Sequence, residues 1–475
     1  MGFVTCKVLV MNCQGARINR KVTVKPAFKV KAVNLGGWLI TEEWQEPFLF
    51  DGIINKDLLD GSQIQLKSVS TGKYVSAENG GGSILSASKT SASDWESFKL
   101  WRIDENTFNF RVSNKQFAGV QSNGSSHAVV ATANTPGASE TFKIIRKAND
   151  TSRVRIQAPN GLFLQAKTEN LVSADYAGEG GWGNDNPSVF EMTASASIGG
   201  EFQLTNGLGP ERAPQVMRVS NILISLPFVG GSLEALDNAF SWAKKYGIQV
   251  IVDLHAAPGS QNGNGHSAAR DGSLEWGKTD DTIQKSVAVI DFLTSRYANN
   301  TQLYAVELIN EPMAPGVSLE ALKRYYKLGY DAVRKHSKSA YVIMSNRLGP
   351  ARPRELFPLA SGLHKTVIDV HYYNLFEDKF NNMTAQQNID YIYNKGSSDV
   401  SYVTTDDGPL TFVGEWVTEW KVKGATKTDY QRFAKAQLEV YGRASFGWAY
   451  WSFKNSNNHW NLPWMIQNGY IKLTK

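Results

Sequence analysis

The chain has 475 residues, 42% hydrophobic and 20% charged, with 50 basic and 44 acidic side chains for a net charge of +6. That length can bury most of its unfolded surface, and the composition excludes a disordered chain. No run nears the ~18 apolar residues of a spanning helix, and the charges are too interspersed for a nucleic-acid patch.

Two cysteines, Cys6 and Cys13, exclude a disulfide framework or a cysteine-rich zinc site. The first thirty residues carry Lys7 directly against their one apolar stretch (Val8–Met11) and lack a long apolar run or an A-x-A site. They make a poor signal peptide. A strand is expected over Ala32–Trp38, running into the glycine-rich loop of Asn34-Leu-Gly-Gly-Trp38.

Between Gln63 and Met192 the sequence repeats about every 45 residues. Each copy has an alternating strand, a polar turn and a second strand opened by an aromatic: Tyr74, Phe117 and Phe163, spaced 43 and 46 apart. Each copy ends on a phenylalanine, at Phe98, Phe142 and Phe190. Three all-β repeats of this size can close a three-fold β-trefoil, with the aromatics buried at equivalent places; an irregular sandwich is the alternative. The repeats resemble the fascin-like module over their whole length.

Beyond the repeats, amphipathic helices (Ser232–Tyr246, Asp281–Tyr297, Leu319–His336, Lys427–Tyr441) alternate with short apolar strands. This pattern predicts βα units around a parallel sheet. Counting Ala32–Trp38, seven strands are visible, one short of an eight-stranded barrel. The expected fold is therefore α/β: a (β/α)8 barrel, incomplete around its second strand, with an all-β trefoil inserted after the first. The expected segments are 28–60 for the first strand and loop, 61–195 for the insert and 200–475 for the barrel.

In such barrels chemistry sits at the C-terminal ends of the strands. Those ends give His255, Asn310-Glu311-Pro312, Asn346-Arg347, His371-Tyr372-Tyr373, Glu415-Trp416 and Trp451. A lone glutamate at a strand end is commonly a loop salt bridge. Two glutamates from different strands, with His, Tyr and Trp beside them, suit glycoside hydrolysis, which needs one protonated and one ionised carboxyl. Tyr372 is expected in the barrel wall. No H-E-x-x-H, C-x-x-C or acidic calcium loop is present, so no metal is expected; no G-x-G-x-x-G or Walker pattern opens a helix, so no nucleotide cofactor is expected.

Asn310-Glu311-Pro312 and Gly414-Glu415-Trp416 resemble the two signatures of glycoside hydrolase family 5, a retaining barrel family. Asp253-Leu-His255-Ala-Ala-Pro-Gly-Ser-Gln261-Asn262 and Trp448-Ala-Tyr-Trp451-Ser-Phe-Lys are similar to its exo-1,3-β-glucanase subfamily, and the fascin-like insert resembles the plant members. The resemblance implies Glu311 as acid/base and Glu415 as nucleophile. It implies Asn310 on the sugar 2-hydroxyl, His371 and Tyr373 beside Glu415, and Asn34, Trp38 and His255 on the terminal sugar over a floor of Trp451. It also implies a secreted or cell-wall monomer that acts on β-glucan, with neither nucleic acid nor membrane as partner. A β-mannan or 1,4-β-glucan hydrolase of the same family, and an inactive carbohydrate-binding protein, are the competing readings.

The sequence departs from the family at the second strand, where the family carries an arginine. Here Arg218 precedes Val219–Leu226, an apolar run that is a candidate substitute strand with the arginine at the wrong end. Open sheet edges and weak hydrolysis are the expected consequences. None of the insert's residues belongs to a strand-end motif, so its removal is expected to leave the barrel chemistry untouched.

Overall fold

Eight strands close a barrel in the computed structural model, which describes residues 3–9, 29–123, 126–178, 180–216 and 232–473. They are β1 (Phe3–Leu9), β2 (Val30–Asn34), β3 (Gln249–Ala256), β4 (Leu303–Glu307), β5 (Tyr341–Ser345), β6 (Thr366–Tyr372), β7 (Leu410–Trp416) and β8 (Gly447–Tyr450). β2 to β8 are the seven strands visible in the sequence, and each runs parallel to its neighbours among them. β2 ends at Asn34, short of the expected Trp38, because Gly36 and Gly37 turn the chain there; Gly37 has φ +72.

The eighth place is filled from an unexpected quarter. β1 lies antiparallel between β3 and β2, with Val8 opposite both Val250 and Val33. The open edges expected beside the second strand are therefore covered, since β1 supplies backbone partners to both flanking strands. Arg218 and Val219–Leu226 lie outside the described residues.

The interior follows from strand alternation. Val30, Ala32, Ile251, Ala305, Ile343, Val367, Phe412 and Phe446 form one buried cluster of the barrel. The helices pack outside. Leu319–His336 starts at Ser318, whose hydroxyl accepts from the Ala321 N–H, and buries Leu322, Tyr325, Tyr326 and Val333. Two of these tyrosines tie the helix to the strand tops: Tyr325 donates to the Leu308 carbonyl and Tyr326 to the Ser345 carbonyl at 2.6 Å. Among the described residues no helix is long and apolar enough to cross a membrane.

The insert is a β-trefoil. Six strands (Gln63–Ser68, Phe98–Arg102, Thr107–Arg111, Phe142–Lys147, Asp150–Gln157, Phe190–Ala194) pair in a closed ring. Three hairpins cap it: Tyr74–Ala77 with Leu85–Lys89, Phe117–Asn123 with Ser126–Ala133, and Phe163–Thr168 with Leu171–Tyr176. Tyr74, Phe117 and Phe163 each open a hairpin opposite the preceding ring strand. Of these three only Phe117 is fully buried. The repeated phenylalanines Phe98, Phe142 and Phe190 carry the shared core instead, because the ring strands face inward and the hairpins sit at its rim.

Where the insert returns to the barrel, helix Glu201–Val216 begins with a carboxylate buried against the first loop. The Thr41 N–H donates to Glu201 Oε2 at 2.7 Å. Burial pushes the Glu201 carboxyl up to about 7, against that hydrogen bond. An acid whose pKa is higher folded than unfolded favours folding only while protonated. Stability is therefore complete below pH ~4.5 and declines as pH rises towards 7, by at most ~3 kcal/mol. Glu201→Gln is expected to match the parent protein at pH 4 and to exceed it in stability at pH 8, measured by chemical unfolding at both values.

Candidate active site

The backbone prepares the tops of β4 and β7 for two glutamates. Glu311, just past β4, has φ +46, a left-handed conformation that a non-glycine residue adopts at a cost and that is often kept at functional sites. Its N–H donates to Ser345 Oγ at 3.2 Å. Glu415 lies on β7 itself, directly after Gly414. A Cβ at Gly414 would fall 2.2 Å from the Asp369 carboxylate, so glycine is required for Asp369 to accept the Gly414 N–H at 2.7 Å.

Asp369 and His371 are two apart on β6, so both face the barrel interior. Asp369 Oδ2 holds His371 Nε2 at 3.1 Å. The other nitrogen, Nδ1, lies 2.6 Å from Glu311 Oε1 and 3.5 Å from Glu415 Oε2. His371 thus stands between the two glutamates and nearer Glu311. Burial pushes its pKa down, but the charges of Glu415, Asp369 and Glu311 outweigh that and hold it well above the usual value. Tyr373 donates to Glu415 Oε2 at 2.7 Å. One oxygen of Glu311, one of Glu415 and a His371 ring nitrogen lie within 4.8 Å of one another.

Strand β3 repeats the same Asp-x-His device. Asp253 Oδ2 holds His255 Nδ1 at 2.8 Å, and the His255 ring stacks on Trp451 with centroids 5.4 Å apart. Gly36 lies against the Trp451 ring; a Cβ there would be 2.6 Å from Trp451 Cζ2. Asn310 is fully buried, and neither polar atom of its side chain has a partner among the described residues. Asn34 is also buried, but its amide donates to the carbonyls of Gly414 at 2.9 Å and Tyr450 at 3.3 Å, bridging β2, β7 and β8. Trp38 is partly buried against the main core. Tyr372 stacks on Tyr441 of the last long helix, as a wall residue does.

Two further groups reach the centre. His266, on the loop after β3, places Nε2 3.1 Å from Glu311 Oε2, and Glu42 Oε2 lies 3.9 Å from its Nδ1. Reading only the last residue of each strand and the two beyond it passes over His266, which follows ten residues after β3 ends. Its setting in Asn262-Gly-Asn-Gly-His266 was the available signal. Burial pushes His266 down, but Glu311, Glu42 and Glu415 raise it to about 9. Burial pushes Glu311 up, and the two imidazoles reverse this, holding its carboxyl well below the carboxylate range.

An aromatic rim leads outward from Glu415. Tyr373 meets Phe376 edge-on at 5.2 Å and stacks on Trp460 at 5.9 Å, and Trp460 meets Trp44 at 4.9 Å. Phe376 is 74% exposed, an apolar face offered to solvent beside buried carboxylates. Glu307, Asp369 and His371 also have the mutual reach to ligate a cation. His371, however, already shares both ring nitrogens with carboxylates, which leaves no lone pair for a metal.

Residues 224–457 match the family model of cellulase (glycosyl hydrolase family 5), and residues 55–194 match a domain of unknown function, DUF7910. The chain is 29% identical over 282 residues to a probable glucan 1,3-β-glucosidase A of Aspergillus niger, covering 51% of this chain and 65% of that protein. It is 29% identical over 287 residues to a glucan 1,3-β-glucosidase of Blumeria graminis, covering 52% and 66%. The chain thus spans just under two thirds of the length of these relatives. The crystal structure of a rutinosidase from Aspergillus niger aligns over 57% of this chain and 88% of that one, at 20% identity and a TM-score of 0.49.

Gly414→Ala is expected to push Asp369 off the Gly414 N–H and to release His371. Overpacking of this kind costs about 1–3 kcal/mol, measured as a lowered midpoint of chemical unfolding.

Proposed function

From the glycosyl hydrolase family 5 domain that residues 224–457 carry, we propose that this protein hydrolyses β-glucan as an exo-1,3-β-glucosidase, with retention of configuration. The observation that carries the reading is the glutamate pair. An oxygen of each lies within 4.8 Å of the other, a close pairing of the kind retaining enzymes use, whose carboxyls lie ~5–5.5 Å apart.

In this reading Glu415, oriented by the Tyr373 hydroxyl, attacks the anomeric carbon as the bond to the leaving oxygen breaks. Glu311, held ionised at rest by its protonated imidazole neighbours, takes up a proton from them and delivers it to that oxygen, so the alcohol leaves neutral and a glycosyl ester remains on Glu415. Glu311, now a base, takes a proton from water as the water displaces Glu415 from the sugar. The unpartnered amide of Asn310 supports its assignment to the sugar 2-hydroxyl, since a buried polar group without a partner is costly in the resting protein. Trp451 and His255 supply an apolar wall for a pyranose. Asn34 holds three strands together through its amide donors, and its Oδ1, which has no partner among the described residues, supports its assignment to the terminal sugar. The relatives, both glucan 1,3-β-glucosidases by name, favour 1,3-linked glucan over mannan or 1,4-glucan. A polymer substrate of this kind supports a site of action outside the cell, at the wall.

Glu311→Ala is expected to slow hydrolysis of a poor leaving group by roughly 10²–10⁴. It should leave ester formation from a dinitrophenyl β-glucoside nearly intact, and azide should restore turnover with β-glucosyl azide as product. The readouts are steady-state kinetics and product analysis. Loss of both steps without azide rescue would remove Glu311 from the acid/base role.

A further inference from the structure

The loop that follows β3 joins two parts of the molecule. At its near end, Asn262 donates to the Glu311 carbonyl at 3.1 Å and His266 reaches the Glu311 carboxylate. At its far end it is gripped by the trefoil. Trp101 Nε1 and Arg111 Nη1 donate to Asp271 Oδ2 at 2.7 and 2.6 Å, and Lys99 Nζ donates to the Asp271 carbonyl at 2.8 Å. Arg270 lies 3.9 Å over the Trp101 ring and donates to Asp60 at 2.8 Å. Asp271 is almost fully buried in this contact. Against the cost of that burial, hydrogen bonds from Ser273 and Trp101 and the Arg111 guanidinium hold its carboxyl down at about 2.

The trefoil's own symmetry sets this grip apart from the equivalent places in the other two repeats. Each repeat sets a basic side chain over the aromatic that opens its hairpin: Lys67 over Tyr74, Arg111 over Phe117 and Arg155 over Phe163. Arg155 spends its donors inside its own repeat, on Ser188 at 3.0 Å and the Gly178 carbonyl at 2.9 Å. Arg111 reaches out of the trefoil to the barrel.

We propose that His266 is a positioning residue for the acid/base Glu311, and that the inserted trefoil holds it there by clamping its loop through Asp271. This rests on the glycosidase reading. Protonated, His266 Nε2 donates to Glu311 Oε2; neutral, the same nitrogen accepts from Asn262 Nδ2, which lies 2.8 Å away. The ring therefore has a partner in either state and can part with its proton without moving. In the resting pair Glu311 is ionised and His266 carries the proton; that proton passes to Glu311 Oε2 and on to the leaving oxygen, which leaves an ionised Glu311 beside a neutral ring, and the proton that Glu311 later takes from water returns to the ring, so the count closes over one turnover. The groups facing His266 are Glu311, Glu42, Glu415 and, edge-on at 5.7 Å, the His255 ring. Three carboxylates against one aromatic neighbour favour the protonated ring. Removing the insert is thus expected to disturb the barrel chemistry, contrary to what the strand-end motifs alone imply.

The test compares His266→Gln, Arg111→Met, Asp271→Asn and the double variant His266→Gln/Arg111→Met with the parent protein. The kinetic readout is the pH profile of kcat on an aryl β-glucoside with a poor leaving group. The expected result is an alkaline limb at least one pH unit lower in His266→Gln, a smaller shift in the same direction in both clamp variants, and no further shift in the double variant. An unchanged limb in His266→Gln would overturn the positioning role. Shifts that add in the double variant, or clamp variants with the parental profile, would overturn the clamp. A second readout does not need turnover: the His266 imidazole nitrogens, titrated by NMR, should change near pH 9 in the parent protein and lower in Arg111→Met and Asp271→Asn. If the parent protein turns over no glucoside, the glycosidase reading fails on that ground, while equal titrations in parent and clamp variants would sink the clamp alone.

Discussion

One imidazole organises the top of the barrel. His371 has carboxylates on both ring nitrogens, Asp369 on one side and Glu311 on the other, with Glu415 next to the latter. Three buried acids within reach of each other cannot all be ionised without a cation between them. The charge of His371 permits that arrangement, and Asp369 fixes where the ring stands. Asp369 is in turn fixed by the Gly414 N–H, one residue before Glu415. The glycine of one signature thus sets the partner of the other signature's glutamate, and this is a physical reason for the two motifs to occur together.

The barrel around this centre tolerates an irregular wall. Its seven parallel strands carry all the strand-end groups, and β1 serves to satisfy the edges of β2 and β3 from the antiparallel direction. Closure needs backbone pairing at that place and not a particular strand direction. The trefoil is likewise closed upon itself, with its own phenylalanine core, so it can sit in a loop without competing for the barrel's apolar surface. What the two bodies share is polar and buried: Asp271 of the barrel loop, met by Arg111 of the trefoil.

Much of this was legible in the sequence because the signals are periodic. Strand and helix periods gave the seven parallel strands, and the 45-residue repeat gave the trefoil. Asp253-Leu-His255 and Asp369-Val-His371 show why alternation matters: residues two apart on a strand share a face, so each aspartate orients its histidine. Three features escaped. β1 has the apolar content of a strand but pairs antiparallel, outside the βα pattern that identifies the other seven, so pattern alone could not assign it to the barrel. His266 lies on a loop, where no period applies. The clamp at Asp271 joins residues 160 and more apart in sequence, a contact that only tertiary packing creates.

The central claim is that Glu311 and Glu415 act as a retaining pair. It is tested most directly by following the anomeric proton of the first sugar released from a 1,3-β-glucan oligosaccharide by NMR, before mutarotation mixes the forms. The account predicts β-glucose as the first product, with α-glucose appearing only as the solution equilibrates. Initial release of α-glucose would contradict it.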